Sequence, residues 1–209
     1  MKLNLPNKLT VLRLVLVPFI IIFGIIPDSI IPFYVSCVIC AVLFIGTAIT
    51  DMLDGKIARK NGLITDFGKF LDPIADKFMV IGAMFVILYK FPNLRLAMIF
   101  TLLIVVFREL AVTSMRLVVS SGSGIVVAAN NLGKVKTVSQ IGAVSTVFLE
   151  PVVQYLARLI VQSLTGKSVV WETNIVPLSW ITLVFCVIMT VWSGVNYITS
   201  YWKYLDPEK

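Results

Sequence analysis

PFYVSCVICAVLFIGTAITDMLDGKIARKNGLITDFGKFLDPIADKFMVIGAMFVILYK, residues 32–90, is two apolar runs joined by a segment crowded with charge. A helix crosses the hydrocarbon core of a bilayer in about 20 residues, and each run comes close to that length. The joining segment breaks at Asn61-Gly62. The stretch therefore reads as two antiparallel membrane helices whose charged ends meet at one surface.

The same grammar extends in both directions. Candidate helices cover 9–26, 32–58, 69–90, 94–119, 133–163 and 175–201. Breaks fall at Pro27, Asn61-Gly62, Phe91-Pro92, Ser121-Gly122-Ser123-Gly124 and around Gly166. Of the 209 residues 58% are hydrophobic, against about 45–50% in ordinary soluble domains, and the mean hydropathy is +0.96. Six spans leave no length for a sizeable soluble domain. The expectation is an all-α polytopic membrane protein with six transmembrane helices, residues 1–209 forming a single domain. The amino-terminal run lacks an Ala-x-Ala-like cleavage site, and polar Asn7, Thr10 and Arg13 run into it. It reads as a retained first helix rather than a signal peptide.

The net charge of +7 would suggest nucleic acid in a soluble protein. Here no basic stretch stands apart from the apolar runs. Lys2, Lys8, Arg13, Lys56, Arg59, Lys60, Lys69, Lys77, Arg108, Arg116, Lys134, Lys136, Lys203 and Lys209 collect on one side of the six-helix path. Only Lys90, Arg95, Arg158 and Lys167 fall on the other. Cytoplasmic segments carry the excess of Lys and Arg, so both termini, the 59–69 loop and the 120–133 loop are expected in the cytoplasm. Cys37 and Cys40 form C-x-x-C inside an apolar run with no βαβ pattern. They read as small buried hydrophobes rather than a redox pair.

Five of the eleven acidic residues lie between Thr50 and Asp76. At about 100° per residue, Asp51, Asp54, Gly55 and Ala58 share one face of the second helix. Gly68, Asp72 and Asp76 share one face of the third. A carboxylate deep in a membrane costs about 2.5–3.5 kcal/mol on insertion scales, so four of them need compensation. The two stripes are expected to face each other near the cytoplasmic end. Four carboxylates in a chain without histidine form a hard, all-oxygen ligand set that suits Mg²⁺ or Mn²⁺ and not Zn²⁺. Two such ions would neutralise the charge and clamp a displacement at phosphorus. The small residues leave room for a ligand, and Arg59 just beyond can pair with a phosphate. The plainer account is that the acids form surface salt bridges with Lys56, Arg59, Lys60, Lys69 and Lys77.

Asp51-x-x-Asp54-Gly55-x-x-Ala58-Arg59, eight residues, then Gly68-x-x-x-Asp72-x-x-x-Asp76 resembles the complete signature of the CDP-alcohol phosphatidyltransferases. Asn7-Lys8-Leu9-Thr10-x-x-Arg13, Arg108-Glu109-Leu110-Ala111-Val112-Thr113-Ser114-Met115-Arg116 and Leu132-Gly133-Lys134-Val135-Lys136-Thr137 are similar to the corresponding segments of a bacterial branch that uses sn-glycerol 3-phosphate as acceptor. That branch usually has Gly-Leu at Ser114-Met115 and Gly-Gln at Asn130-Asn131. The resemblance covers roughly residues 5–140.

It implies a six-helix homodimer in the bacterial cell membrane, with a polar cavity open to the cytoplasm. Asp51, Asp54, Asp72 and Asp76 would bind two Mg²⁺ or Mn²⁺ ions, and Asp76 would also be the general base. Asn7, Thr10, Gly55, Ala58, Arg59 and Gly68 would hold CDP-diacylglycerol. Arg108, Arg116, Lys134 and Lys136 flank one cytoplasmic loop and would read the phosphate of the acceptor. Other acceptors (serine, an inositol species, phosphatidylglycerol) stay open at this point. From another class, a cation transporter using intramembrane aspartates is the main rival. Such sites often use broken helices in repeated halves, which this chain lacks, and Arg59 beside the acids would repel a cation. A membrane scaffold without catalysis leaves the acid stripes unexplained.

Overall fold

The computed structural model describes residues 4–61, 65–123, 131–165 and 176–202; within these the side chains of residues 54, 56–61, 69 and 121–123 are left aside. Among the described residues six α-helices follow in order: α1 Leu5–Ile25, α2 Phe33–Asn61, α3 Asp66–Lys90, α4 Arg95–Ser123, α5 Asn131–Thr165 and α6 Pro177–Tyr201. A short 3-10 turn, Pro92–Leu94, joins α3 to α4.

Local chemistry sets the helix ends. Asn4 caps α1 by accepting from the Asn7 amide at 3.0 Å, and Pro6 sits in the first turn, where a missing N–H costs nothing. Thr65 caps α3 by accepting from the Gly68 amide at 3.1 Å. Asp66 follows in the first turn and Lys90 occupies the last, both favourable to the helix dipole. α6 is started by a distant residue. Glu150 of α5 is buried and accepts from the Leu178 amide at 3.0 Å, the Ser179 amide at 2.7 Å and the Ser179 hydroxyl at 2.5 Å.

Among the described residues five helices (α1, α2, α4 with the turn before it, α5 and α6) are long and apolar enough to cross a membrane. α3 is as long as α6, but Asp66, Lys69, Asp72, Asp76 and Lys77 fill its first half. Its apolar second half is packed inward through Met79, Val80, Ala83, Met84, Val86 and Ile87. α5, at 35 residues, is about 52 Å long, well beyond the roughly 30 Å of a hydrocarbon core.

The exterior is apolar to a degree that water would not tolerate. Leu96, Leu103, Phe107, Val138 and Ile181 are each 65–70% exposed. The interior carries the polarity, with Asn7, Thr10, Arg13, Lys136, Gln140, Glu150 and Ser193 all buried. Lipid explains this inversion, since it solvates the apolar surface while polar groups find partners inside. Cys37 and Cys40 are free and fully buried, and the Cys40 thiol donates to the Ile20 carbonyl at 3.6 Å.

α1 packs against both α2 and α3, whereas α2 and α3 touch each other only sparsely. α1 lies against both, and its Arg13 joins Asp51 of one expected acid stripe to Asp76 of the other. α4 and α5 both pack on α6 and on α3. This leaves two polar clusters, one among α1, α2 and α3, the other among α3, α4, α5 and α6.

Candidate functional site

α1 places Asn7, Thr10 and Arg13 three residues apart, so they share one helical face. All three are buried. Asn7 pairs with Thr65 in both directions, its amide donating at 3.0 Å and its carbonyl accepting at 3.1 Å. The Thr10 hydroxyl donates to Asp72 Oδ1 at 2.7 Å. Arg13 Nη1 lies 2.8 Å from Asp51 Oδ1 and also pairs with Asp76 Oδ1. Arg13 is 0% exposed, while the Asp51 and Asp76 side chains are 39% and 47% exposed. The guanidinium is the floor of the site and the two acids are its half-open wall.

One cation between two carboxylates lowers the repulsion that would otherwise drive the acids apart. It does not neutralise the set, because Asp72 adds a further charge one turn before Asp76. Gly68 closes the corner. A Cβ there would stand 2.9 Å from Asn7 Oδ1 and 3.4 Å from Thr65 Oγ1, with Asp72 Oδ2 at 3.9 Å. Asn7 is held by Thr65 and cannot simply swing away, so the contact of α1 with the start of α3 needs glycine.

The sequence-derived set is brought together in part. Asn7, Thr10, Asp51, Gly68, Asp72 and Asp76 meet around α1. Gly55 is half-buried on α2. The side chains of Asp54, Ala58 and Arg59 lie outside the described residues. Among the described residues no three carboxylates come close enough together to hold an ion by themselves.

The basic set divides. Arg108 Nη2 donates to Ser193 Oγ at 2.7 Å and its Nη1 lies 3.1 Å from Glu109 Oε1. Arg116 Nη2 donates to the Tyr197 hydroxyl at 2.7 Å. Both guanidinium groups also sit over the Tyr197 ring, at 5.5 Å and 5.1 Å from its centroid. Lys136 is buried and ion-paired with Glu109. Lys134 stays exposed in the first turn of α5. The expected four-cation group is therefore three residues gathered around Glu109 and Tyr197, with one apart. Lys77, next to Asp76, ties the clusters together: its Nζ donates to Thr113 Oγ1 at 2.6 Å and lies 3.9 Å from Glu109 Oε2.

Sequence reasoning missed five members: Arg13, Thr65, Lys77, Ser193 and Tyr197. Arg13 had a readable signal, the three-residue spacing of Asn7, Thr10 and Arg13 inside an apolar run. Ser193 and Tyr197 stand four apart on α6, with Gly194 between them bringing the Arg108 stem close; a Cβ at Gly194 would be 3.2 Å from Arg108 Cγ.

The apolar exterior and the two adjoining polar clusters, one acidic around a buried arginine and one basic, put charged chemistry inside a membrane bundle. The family model for CDP-alcohol phosphatidyltransferase matches residues 3–192, and the chain belongs to that family. It is 39% identical to the CDP-diacylglycerol–glycerol-3-phosphate 3-phosphatidyltransferase of Bacillus subtilis (strain 168), over 97% of each chain. It is 31% identical to the enzyme of the same name from Yersinia enterocolitica, again over 97% of each. A Wigglesworthia glossinidia brevipalpis protein of that name is 40% identical over 56% of this chain and 60% of its own.

Proposed function

We propose that this chain transfers the phosphatidyl group of CDP-diacylglycerol to the 1-hydroxyl of sn-glycerol 3-phosphate, releasing CMP. The observation that carries this reading is the likeness to the Bacillus subtilis enzyme across 97% of both chains. The two polar clusters support it, one acidic and one basic, side by side and joined at Lys77.

The residues fit a divalent cation. Asp51 and Asp76 already accept a positive charge between them, that of Arg13, and the available donors are oxygens. Asp51, Asp54, Asp72 and Asp76 would hold two Mg²⁺ or Mn²⁺ ions. When bound, such ions supply charge neutralisation on a diphosphate and its departing CMP. The rest falls to the protein. Asp76 is half-exposed and takes the proton of the attacking hydroxyl. Arg13 holds Asp51 and Asp76 in place, and Thr10 fixes Asp72. Asn7, Thr10, Gly55, Ala58, Arg59 and Gly68 hold the CDP portion, with Arg59 on its phosphates. The acceptor phosphate is read beside Tyr197 by Arg116, with Lys134 at the rim. Arg108 and Lys136, both engaged by Glu109, set the potential of that pocket. Alignment and charge neutralisation are what two anionic substrates need most.

The enzyme works in the bacterial cytoplasmic membrane as a homodimer, with both termini and the site on the cytoplasmic side. The bias of Lys and Arg supports that orientation.

The test is CMP release from labelled CDP-diacylglycerol by purified protein in detergent, with glycerol 3-phosphate, serine, inositol and phosphatidylglycerol as acceptors. Glycerol 3-phosphate is expected to be used best. Preference for an acceptor without a phosphate overturns the acceptor assignment, and absence of CMP release with all four overturns the enzyme assignment.

A further inference from the structure

At the end of the bundle away from the aspartates lies a cavity of about 320 Å³. Asp76 is fourteen residues before Lys90 on α3, so the two ends are about 21 Å apart. Lys90, Arg158, Gln154, Tyr34, Phe33 and Pro151 are among the residues that line it. Two of the four basic residues on the sparsely charged side of the membrane thus converge on one hollow.

The two cations differ. Lys90 is neutralised by Asp28 at 3.0 Å and sits over the Phe33 ring. Among the described residues Arg158 has no ion pair, and its buried Nε has no hydrogen-bond acceptor. The nearby carboxylate of Glu150 is occupied by the start of α6. A buried guanidinium N–H without an acceptor is costly, and a cation at the edge of lipid needs a counter-charge. The cavity beside it is within the volume range of small-ligand sites.

We propose that this cavity binds the phosphate of an anionic phospholipid from the leaflet opposite the catalytic site, with Arg158 as its principal ligand. The surroundings favour a lipid over a soluble anion. Leu156, Leu159 and Ile160, beside Arg158 on α5, are exposed apolar residues that would meet acyl chains. Tyr34 and Tyr155 stack at 4.3 Å, and such aromatic residues belong to the headgroup level of a membrane. Walls that are about half polar and half apolar, with a guanidinium unmatched among the described residues, suit a phosphodiester carrying a glycerol backbone, and bidentate pairing with phosphate is what arginine does best.

The experiment compares purified full-length protein with Arg158→Gln by native mass spectrometry during titration with phosphatidylglycerol, phosphatidylcholine or inorganic phosphate. Wild type is expected to hold one more phosphatidylglycerol than the variant, or to bind it about tenfold or more tightly, the loss of one charge-assisted contact. Phosphatidylcholine is expected to show no such difference. Equal binding of the two lipids by wild type, or equal phosphatidylglycerol binding by both proteins, overturns the proposal. So does displacement of the lipid by millimolar inorganic phosphate, which would make the site one for soluble anions. If Arg158→Gln does not fold, a photoreactive phosphatidylglycerol on wild type decides. Labelling is expected at residues 33–34, 90–94 and 151–158, and labelling confined to the aspartate end overturns the assignment.

Discussion

Arg13 and Asp76, on α1 and α3, form an ion pair in which the arginine is completely buried and the aspartate half-exposed. The same guanidinium nitrogen reaches Asp51 of α2 at 2.8 Å. One side chain thereby holds the charged ends of two helices that scarcely touch each other. Arg13→Gln is expected to destabilise the protein by about 1.5–3 kcal/mol, the range for hydrogen bonds to charged groups, kept below the cost of a fully buried pair by the exposure of the acids. Thermal unfolding in detergent reads the loss. Added Mg²⁺ is expected to restore part of it, because a divalent cation can replace the missing charge. An unchanged unfolding temperature would show that the arginine is not what holds the acids.

The aspartates themselves give the second prediction. Asp51→Asn and Asp72→Asn each remove a charge and leave an amide, a poorer ligand for a hard cation. Both variants are expected to fold and to lose CMP release. Chelation with EDTA is expected to abolish activity in wild type, and Mg²⁺ or Mn²⁺ to restore it. Near-normal turnover in either variant, or full activity after thorough chelation, would sink the metal assignment.

Much of this site was legible because membrane insertion makes charge conspicuous. Helix lengths followed from the bilayer, and four aspartates sharing two helix faces stood out, even with surface salt bridges as the plainer account of them. α1 was placed late, from residue 9, because Asn7 and Lys8 look like a polar approach to the membrane. The structure starts the helix at Leu5 and turns its polar face inward. For the same reason Arg13 counted toward orientation and not toward the site. Glu150 was unreadable in another way: it caps a helix that begins 27 residues later, and no local pattern predicts a cap from a different helix. Ser193 and Tyr197 lie in a run that reads simply as a lipid span.

Gly68 supplies a third prediction. Gly68→Ala places a methyl group 2.9 Å from Asn7 Oδ1, inside ordinary contact distance, and forces Asn7 off Thr65. The expected result is a raised KM for CDP-diacylglycerol, with a smaller change for the acceptor. An effect confined to the acceptor would move the CDP site away from this corner.

Glu150 tests the fold apart from the chemistry. Glu150→Ala leaves the Leu178 and Ser179 amides without their acceptor, at a cost of about 1–3 kcal/mol. Glu150→Gln keeps one acceptor oxygen and is expected to lose less. Thermal unfolding is the measurement, and activity per folded molecule is expected to stay near wild type. Equal stability of Glu150→Ala and wild type would mean that α6 starts without this cap.

The acceptor pocket offers the sharpest separation of roles, because its cations are not equivalent. Arg116 is tied to the Tyr197 hydroxyl at 2.7 Å and both arginines lie over that ring, so Tyr197 sets the direction in which Arg116 points. Tyr197→Phe keeps the ring and removes only the hydroxyl. It is expected to raise the KM for glycerol 3-phosphate several-fold while leaving that for CDP-diacylglycerol unchanged. Arg116→Ala removes a charge-assisted contact of about 1.5–3 kcal/mol, and is expected to raise the same KM about tenfold to a hundredfold. Lys134, exposed and outside the Glu109 group, is expected to give a smaller effect as alanine. Lys136→Ala is expected to act differently again. Loss of its ion pair leaves Glu109 with Arg108 and Lys77 alone, and both stability and acceptor binding should fall together. Initial rates at varied concentrations of each substrate, with unfolding temperatures alongside, resolve the four variants. If all four keep the KM of wild type for glycerol 3-phosphate, the acceptor phosphate is bound elsewhere. If Tyr197→Phe alone is silent, Arg116 reads the phosphate without help from the ring hydroxyl.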